Sequence, residues 1–138
     1  MHITIDGFGG DPRQLGSEEL VRNLLDRYPD DIGMTKITDP HVFEYHGDKP
    51  EDWGVSGFVI IAESHIAVHT FPNHGQVWVD IFSCKGFDAV PAIDMIVEAF
   101  SLQDTRINKL ERGLEYPHNV AASIPLNRAE RREVTPVG

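Results

Sequence analysis

The apolar positions of the chain follow two periodicities, which separate predicted strands from predicted helices. Alternating or continuous short apolar runs predict strands over 1–8, 34–37, 42–45, 55–62, 65–70, 76–82 and 105–110. Apolar residues spaced three and four apart predict amphipathic helices over 17–28 and 89–100. Ser17 is placed to cap the first helix, and Pro29 is expected to end it.

The order of these elements predicts the fold class. A strand, a helix, several consecutive strands, a helix and a last strand are typical of an α+β fold, here a two-layer sandwich. We expect a mainly antiparallel sheet with the helices on one face, and a hairpin through Pro72 to Gly75. Residues 1–115 are predicted to form one domain, and the proline-containing, charge-rich residues 116–138 an irregular C-terminal tail.

Composition and charge narrow the classes of partner. Twenty-two acidic and twelve basic residues give the 138-residue chain a net charge of −10, which disfavours nucleic acid and anionic lipid and favours a cationic small molecule. The single cysteine, Cys84, excludes an internal disulfide and a multi-cysteine zinc site. No apolar run is long enough to span a membrane, and the N-terminal residues lack a signal-peptide pattern, so we expect a cytoplasmic location.

Residues 63–70 contain an acid, a hydroxyl and two imidazoles between apolar strands. His65 and His69 have the spacing of zinc ligands on a helix, but this segment favours a strand, in which they would lie about 13 Å apart. One metal ion cannot bridge that distance, so we expect no metal. Ser64 could be a hydrolase nucleophile, although it lacks the Gly-x-Ser-x-Gly turn. A strand with outward polar side chains is the remaining interpretation from the residues alone.

Three blocks of sequence resemble the prokaryotic S-adenosylmethionine decarboxylase family. They are Gly54-Val55-Ser56-Gly57, the run from Glu63-Ser64-His65-Ile66 to His69-Thr70-Phe71-Pro72, and Val79-Asp80-Ile81-Phe82-Ser83-Cys84. The opening His2-Ile3-Thr4-Ile5-Asp6 and the later Glu111-Arg112-Gly113 are also similar at matching positions. The resemblance covers about residues 1–115.

The resemblance implies a self-processing decarboxylase. The hydroxyl of Ser64 would attack the carbonyl of Glu63, and elimination and hydrolysis would leave a covalent pyruvoyl group at residue 64. That group would form a Schiff base with the substrate amine and accept electrons as carbon dioxide leaves. By the same resemblance, His69 is the processing base, Ser56 a processing helper and Cys84 the proton donor to the substrate.

Substrate recognition departs from the family pattern. Some members have Trp-Pro-Glu after His-Thr, whereas this chain has Phe71-Pro72-Asn73, so an aromatic ring is kept but a carboxylate is lost. Trp53 is a candidate second stacking ring, and Asp6 a candidate partner for a substrate ammonium.

We therefore expect decarboxylation of S-adenosylmethionine for spermidine synthesis, with two alternatives. The first is a pyruvoyl enzyme acting on ornithine or arginine, which needs the same chemistry but no nucleoside pocket. The second is a non-catalytic regulatory relative. The resemblance also implies a two-chain protomer and a homodimer with the active site near the subunit interface.

Overall fold

The computed structural model describes residues 1–112, and the predicted tail lies outside this range. Within it the chain forms seven strands, three α-helices and a 3₁₀ turn at Pro72–His74. The elements are β1 His2–Phe8, α1 Pro12–Leu15, α2 Glu18–Asp31, β2 Thr35–Lys36, β3 His41–His46, β4 Trp53–Ala62, β5 Ser64–Phe71, β6 Gln76–Ser83, α3 Ala89–Phe100 and β7 Asp104–Leu110.

All seven strands join one antiparallel sheet. Its central order is β4-β5-β6-β1-β7, and the outer edge of β4 pairs with β3 along its first half and with β2 at its end. The hairpins β4–β5 and β5–β6 set the register that matters most below, with Ser56 opposite His69 and Ser64 opposite Ser83.

The helices cover one side of this sheet, which confirms the predicted two-layer α+β sandwich. Alternate strand residues such as Ile5, Val59, Ile66 and Ile81 are fully or almost fully buried against Leu25, Tyr28, Ile96 and Phe100 of the helices. The other side, called the open face here, carries the intervening strand residues. Its members on the central strands include Ser56, Phe58, Ile60, His65, Ala67, His69, Trp78, Asp80, Phe82, His2, Thr4 and Asp6.

The predicted helix boundaries were largely right, with one error at Pro29. Ser17 caps α2 as expected, since its hydroxyl accepts a hydrogen bond from the Leu20 amide at 3.0 Å. The helix continues past Pro29 to Asp31 because a proline near the last turn sacrifices one hydrogen bond only, and its own carbonyl still accepts from Met34. Residues 12–15, for which the sequence predicted no helix or strand, form α1 with Asp11 as its cap. Helix α3 has the predicted bounds.

None of the helices within residues 1–112 is long and apolar enough to cross a membrane.

One buried hydrogen bond joins the two long helices under the sheet. The Tyr28 hydroxyl of α2 donates to the Ala92 carbonyl of α3, and burial raises the pKa of this phenol. Tyr28→Phe should therefore lower the free energy of unfolding by about 1–2 kcal/mol, because the carbonyl loses its buried partner. Urea denaturation measures this difference, and Tyr45→Phe on an exposed strand is the matched control. Equal losses in both variants would contradict the assignment.

Candidate active site

The predicted cleavage point lies in the tight turn between β4 and β5. Ile61 pairs with Ser64, so only Ala62 and Glu63 connect the two strands. Ser64 follows the helix-facing alternation of β5, and its Oγ is buried without a hydrogen-bond partner among residues 1–112. A buried hydroxyl normally finds a partner, because desolvating it otherwise costs free energy. The unpartnered Ser64 hydroxyl therefore lies in the residue that directly follows the Glu63 carbonyl.

Cys84 lies at the same end of the sheet, directly against the predicted cleavage point. Its Sγ donates a hydrogen bond to the Glu63 carbonyl oxygen at 3.3 Å. The contact arises because β6 pairs with β5 up to Ser83 opposite Ser64, so the next residue of the chain reaches the turn. A donor at this oxygen polarises the carbonyl and stabilises negative charge that develops on it. The structure thus brings together three of the predicted residues, Glu63, Ser64 and Cys84.

Ser56 and His69 form a second group, far from the first. Ser56 Oγ and His69 Nδ1 are 2.9 Å apart across the β4–β5 pair, and both side chains belong to the open face. His69 is five residues from Ser64 along β5, which corresponds to about 16 Å. The predicted processing base and its helper therefore contact each other, but they do not contact Ser64 of the same chain.

A cavity of about 570 Å³ opens beside the Ser56–His69 pair. Its walls include the rings of Tyr45, Trp53 and Phe71 and, from the 46–52 loop, the carboxylates of Asp48, Glu51 and Asp52. The Trp53 ring stacks on His46 at 5.8 Å between centroids and 9° between planes. Aromatic walls with a few acidic groups suit a ligand that combines a flat ring with a positive charge.

The two other predicted substrate residues lie outside the cavity wall. The side-chain amide of Asn73 donates to the Glu51 carbonyl at 3.2 Å and so anchors the 46–52 loop. Asp6 lies on β1 opposite Trp78 and Arg106, two strands from His69 and about 10 Å away. Asn73 therefore affects the cavity only through the loop that it holds. Asp6 lies in the same row of paired strand residues as Trp78 and His69 but does not line the cavity.

Several residues of this site carried no signal in the sequence. The acidic loop residues sit in a polar stretch that reads as an ordinary turn, and Tyr45 reads as a strand residue. Tyr45 and the acidic loop residues come together because β3 pairs antiparallel with β4. This pairing places the loop between β3 and β4 near the β5 residues that pair with the start of β4. Within residues 1–112, no cluster of three or more metal-ligating side chains has the geometry to hold an ion.

Known proteins are similar to this chain in both sequence and fold. A family model described as S-adenosylmethionine decarboxylase matches residues 1–113. Among curated relatives, the S-adenosylmethionine decarboxylase proenzyme of Thermococcus gammatolerans is 34% identical over 116 residues, which cover 83% of this chain and 76% of that protein. The proenzyme of the same name from Picrophilus torridus is 31% identical over 126 residues, covering 91% and 92% respectively.

A solved structure agrees with these sequence matches. The crystal structure of the adenosylmethionine decarboxylase from Aquifex aeolicus superposes with a TM-score of 0.65 at 30% identity, over 82% of this chain and 89% of that one. The fold is a small α+β sandwich with a buried serine hydroxyl at the start of β5. This chain belongs to the S-adenosylmethionine decarboxylase family.

The role of Asn73 as a loop anchor can be tested without any ligand. Asn73→Ala should speed amide hydrogen exchange over residues 47–52, because the bond to the Glu51 carbonyl is lost, while lowering the free energy of unfolding by no more than about 1 kcal/mol. Exchange measured by mass spectrometry reports the loop directly. Asn108→Ala on exposed strand β7 is the control, and an unchanged loop in Asn73→Ala would refute the anchor.

Proposed function

We propose that this chain is a proenzyme that cleaves its own backbone between Glu63 and Ser64 and then decarboxylates S-adenosylmethionine. The observation that carries the proposal is the pairing of a buried, unpartnered Ser64 hydroxyl with a Glu63 carbonyl that already accepts the Cys84 thiol. Membership of the family supports the same activity. The product would be the aminopropyl donor for spermidine synthesis.

The first reaction converts an amide to an ester. Ser64 Oγ adds to the Glu63 carbonyl carbon, the C–N bond breaks, and the hydroxyl proton passes to the released amine of residue 64. The Cys84 Sγ–H bond stabilises the oxygen while it carries charge. A base next removes the α-proton of residue 64, and Glu63 leaves as a carboxylate. Hydrolysis of the remaining enamine releases ammonia and leaves a ketone.

The fit of this group to the site follows from the same residues. A pyruvoyl ketone at residue 64 supplies an electron-withdrawing carbonyl that accepts the electron pair left when carbon dioxide departs. Cleavage frees residue 64 from the turn, so it can reach the open face on which Cys84 lies. The Cys84 Sγ holds a proton within reach of this position and can return it to the substrate carbon.

The distance along β5 supports an active site shared between two copies of the chain. His69 suits the base that removes the α-proton, yet it lies about 16 Å from Ser64 on the same strand. A two-fold axis between two open faces, perpendicular to the strands and close to Ala67, would set His69 of one chain over the Cα of residue 64 of the other, on the side opposite the Ser64 side chain. We propose that each active site combines Ser64 and Cys84 of one subunit with Ser56 and His69 of its partner.

The open face has the composition that such packing needs. Phe43 is 63% exposed and Trp78 50% exposed, and Phe58 and Ile60 are also among the exposed large apolar residues there. A contiguous apolar patch on one side of a sheet marks an interaction surface in most soluble proteins. A symmetric, isologous interface would cover the same residues on both subunits and complete both sites at once.

The cavity beside His69 then becomes the pocket for the adenosyl end of the substrate. Phe71 and Trp53 offer aromatic surfaces for adenine, and a positively charged sulfonium is attracted by rings and by the acidic loop. Asn73 in place of a glutamate favours a second candidate, a decarboxylase of ornithine or arginine, whose substrates are cationic but lack a nucleoside. A cytoplasmic location stays a prediction from the sequence.

Mass spectrometry and a carbon dioxide assay test the proposal together. Purified, fully incubated protein should give a fragment ending at Glu63 and a remainder whose first residue is blocked by a borohydride-reducible ketone. That material should release carbon dioxide from S-adenosylmethionine, and Ser64→Ala should show neither cleavage nor release. Release from ornithine or arginine alone would replace the substrate assignment. An intact wild-type chain would favour the regulatory alternative and reject the enzyme.

Mixing two inactive variants tests the shared site. Ser64→Ala and His69→Ala should each stay largely uncleaved when expressed alone, with cleavage slowed by about a hundredfold or more. In co-expressed chains, the His69→Ala chain should be cleaved because its partner supplies an intact His69. Mass spectrometry distinguishes the two chains. Cleavage absent from the mixture but present in wild type would place the whole site in one subunit.

A further inference from the structure

Arg112 occupies a place that the proposed reaction does not use. It follows β7, and its guanidinium carbon lies 4.2 Å from the centre of the Phe82 ring. Its Nη1 is 3.2 Å from Nδ1 of His2. Arginine has donors only, so Nδ1 of His2 accepts this hydrogen bond and the neutral imidazole carries its proton on Nε2.

These contacts converge on the strand end that carries Cys84. Phe82 and Cys84 are two residues apart and point to the same side of the sheet. The Phe82 ring also forms a T-shaped contact with His65, the neighbour of Ser64, with 6.0 Å between the ring centroids. The rings of His2 and Phe82 lie 5.6 Å apart across the β1–β6 pair. Arg112 therefore lies at one end of a series of ring contacts that reaches His65, the residue after Ser64, through Phe82, which is two residues from Cys84 along the chain.

The two contacts of Arg112, with the Phe82 ring and with His2, suit an arginine side chain. A planar guanidinium can lie flat on an aromatic face and still donate in its own plane, whereas an ammonium offers a point charge. The partner in that plane, His2, is nearly buried, with its side chain 16% exposed and Nε2 3.8 Å from an Asp80 carboxylate oxygen. Arg112 thus fixes the Phe82 ring from above and the His2 ring from the side.

We propose that Arg112 is a positioning residue for self-processing, which holds the Cys84 thiol against the Glu63 carbonyl through Phe82 and His2. The proposal rests on the cleavage reaction proposed above. It predicts that loss of Arg112 weakens the 3.3 Å contact between Cys84 Sγ and the carbonyl oxygen, although Arg112 touches neither atom.

A double-mutant cycle measures the effect on cleavage. Arg112→Gln should slow cleavage between residues 63 and 64 by about tenfold, yet by less than about twofold in a Cys84→Ala background, because the two changes remove the same contact. Arg112→Lys should recover part of the rate. The matched control is Arg106→Gln, since Arg106 lies over the Phe8 ring at 5.7 Å on the other end of the same strands. Equal slowing in both backgrounds would overturn the proposal.

A second measurement separates this inference from the proposed function. In a Ser64→Ala chain, Cys84 is the only thiol, and its alkylation by iodoacetamide reports how firmly it is held. Adding Arg112→Gln should raise the alkylation rate by about threefold or more, because a thiol released from its contact with the Glu63 carbonyl is more accessible to the reagent. Adding Arg106→Gln should not. An unchanged rate with Arg112→Gln would overturn the positioning role even if wild-type protein cleaves itself normally.

Discussion

The hydrogen bond from Cys84 to the Glu63 carbonyl depends on the register of three adjacent strands. A two-residue turn puts Ser64 opposite Ile61, and the next hairpin puts Ser64 opposite Ser83, so the following residue meets the turn. A slip of one residue in either hairpin would turn Cys84 to the other side of the sheet. The buried alternation of Ile66, Val68, Val79 and Ile81 against the helices opposes such a slip.

The same alternation gives the two sides of the sheet different compositions. One side buries a continuous apolar core under α2 and α3, which supplies most of the stability. The open face is left with serine, histidine and exposed aromatic rings. Because β5 carries Ser64 at one end and His69 at the other, a single sheet holds both parts of the proposed active site at separate places. An antiparallel encounter of two such faces is the simplest arrangement that unites them.

Charged residues of opposite sign lie beside the two parts of the proposed site. The acidic loop around Asp48 and Asp52 borders the cavity, whereas the cationic Arg112 lies beside the Cys84 end of β6. In the proposed dimer, the positive end of the substrate would meet the acidic loop of one subunit and its reacting end the Cys84 region of the other. The order of charges along the open face would therefore orient the substrate before any covalent bond forms.

The sequence by itself determined most element types, and it supplied the prediction that the chain is cleaved between Glu63 and Ser64. Alternation, helical spacing and the Ser17 cap predicted the strands and both long helices, because these signals depend on neighbours close in the chain. Helix α1 and the extension of α2 past Pro29 were not predicted. Rules based on neighbouring residues treat proline as a helix end, although a packed protein tolerates a proline near the last turn of a helix. The resemblance of residues 54–84 to one family pointed to Ser64, His69 and Cys84.

Only the tertiary structure decided how those residues are grouped. The pairing of β5 with β6 joins Cys84 to Glu63 across 21 positions of sequence, and the straightness of β5 keeps His69 away from Ser64. Arg112 meets His2 across 110 positions, a contact that no local pattern indicates. Strand register and sheet face are properties of the assembled sheet, so they cannot be read from residue types one segment at a time.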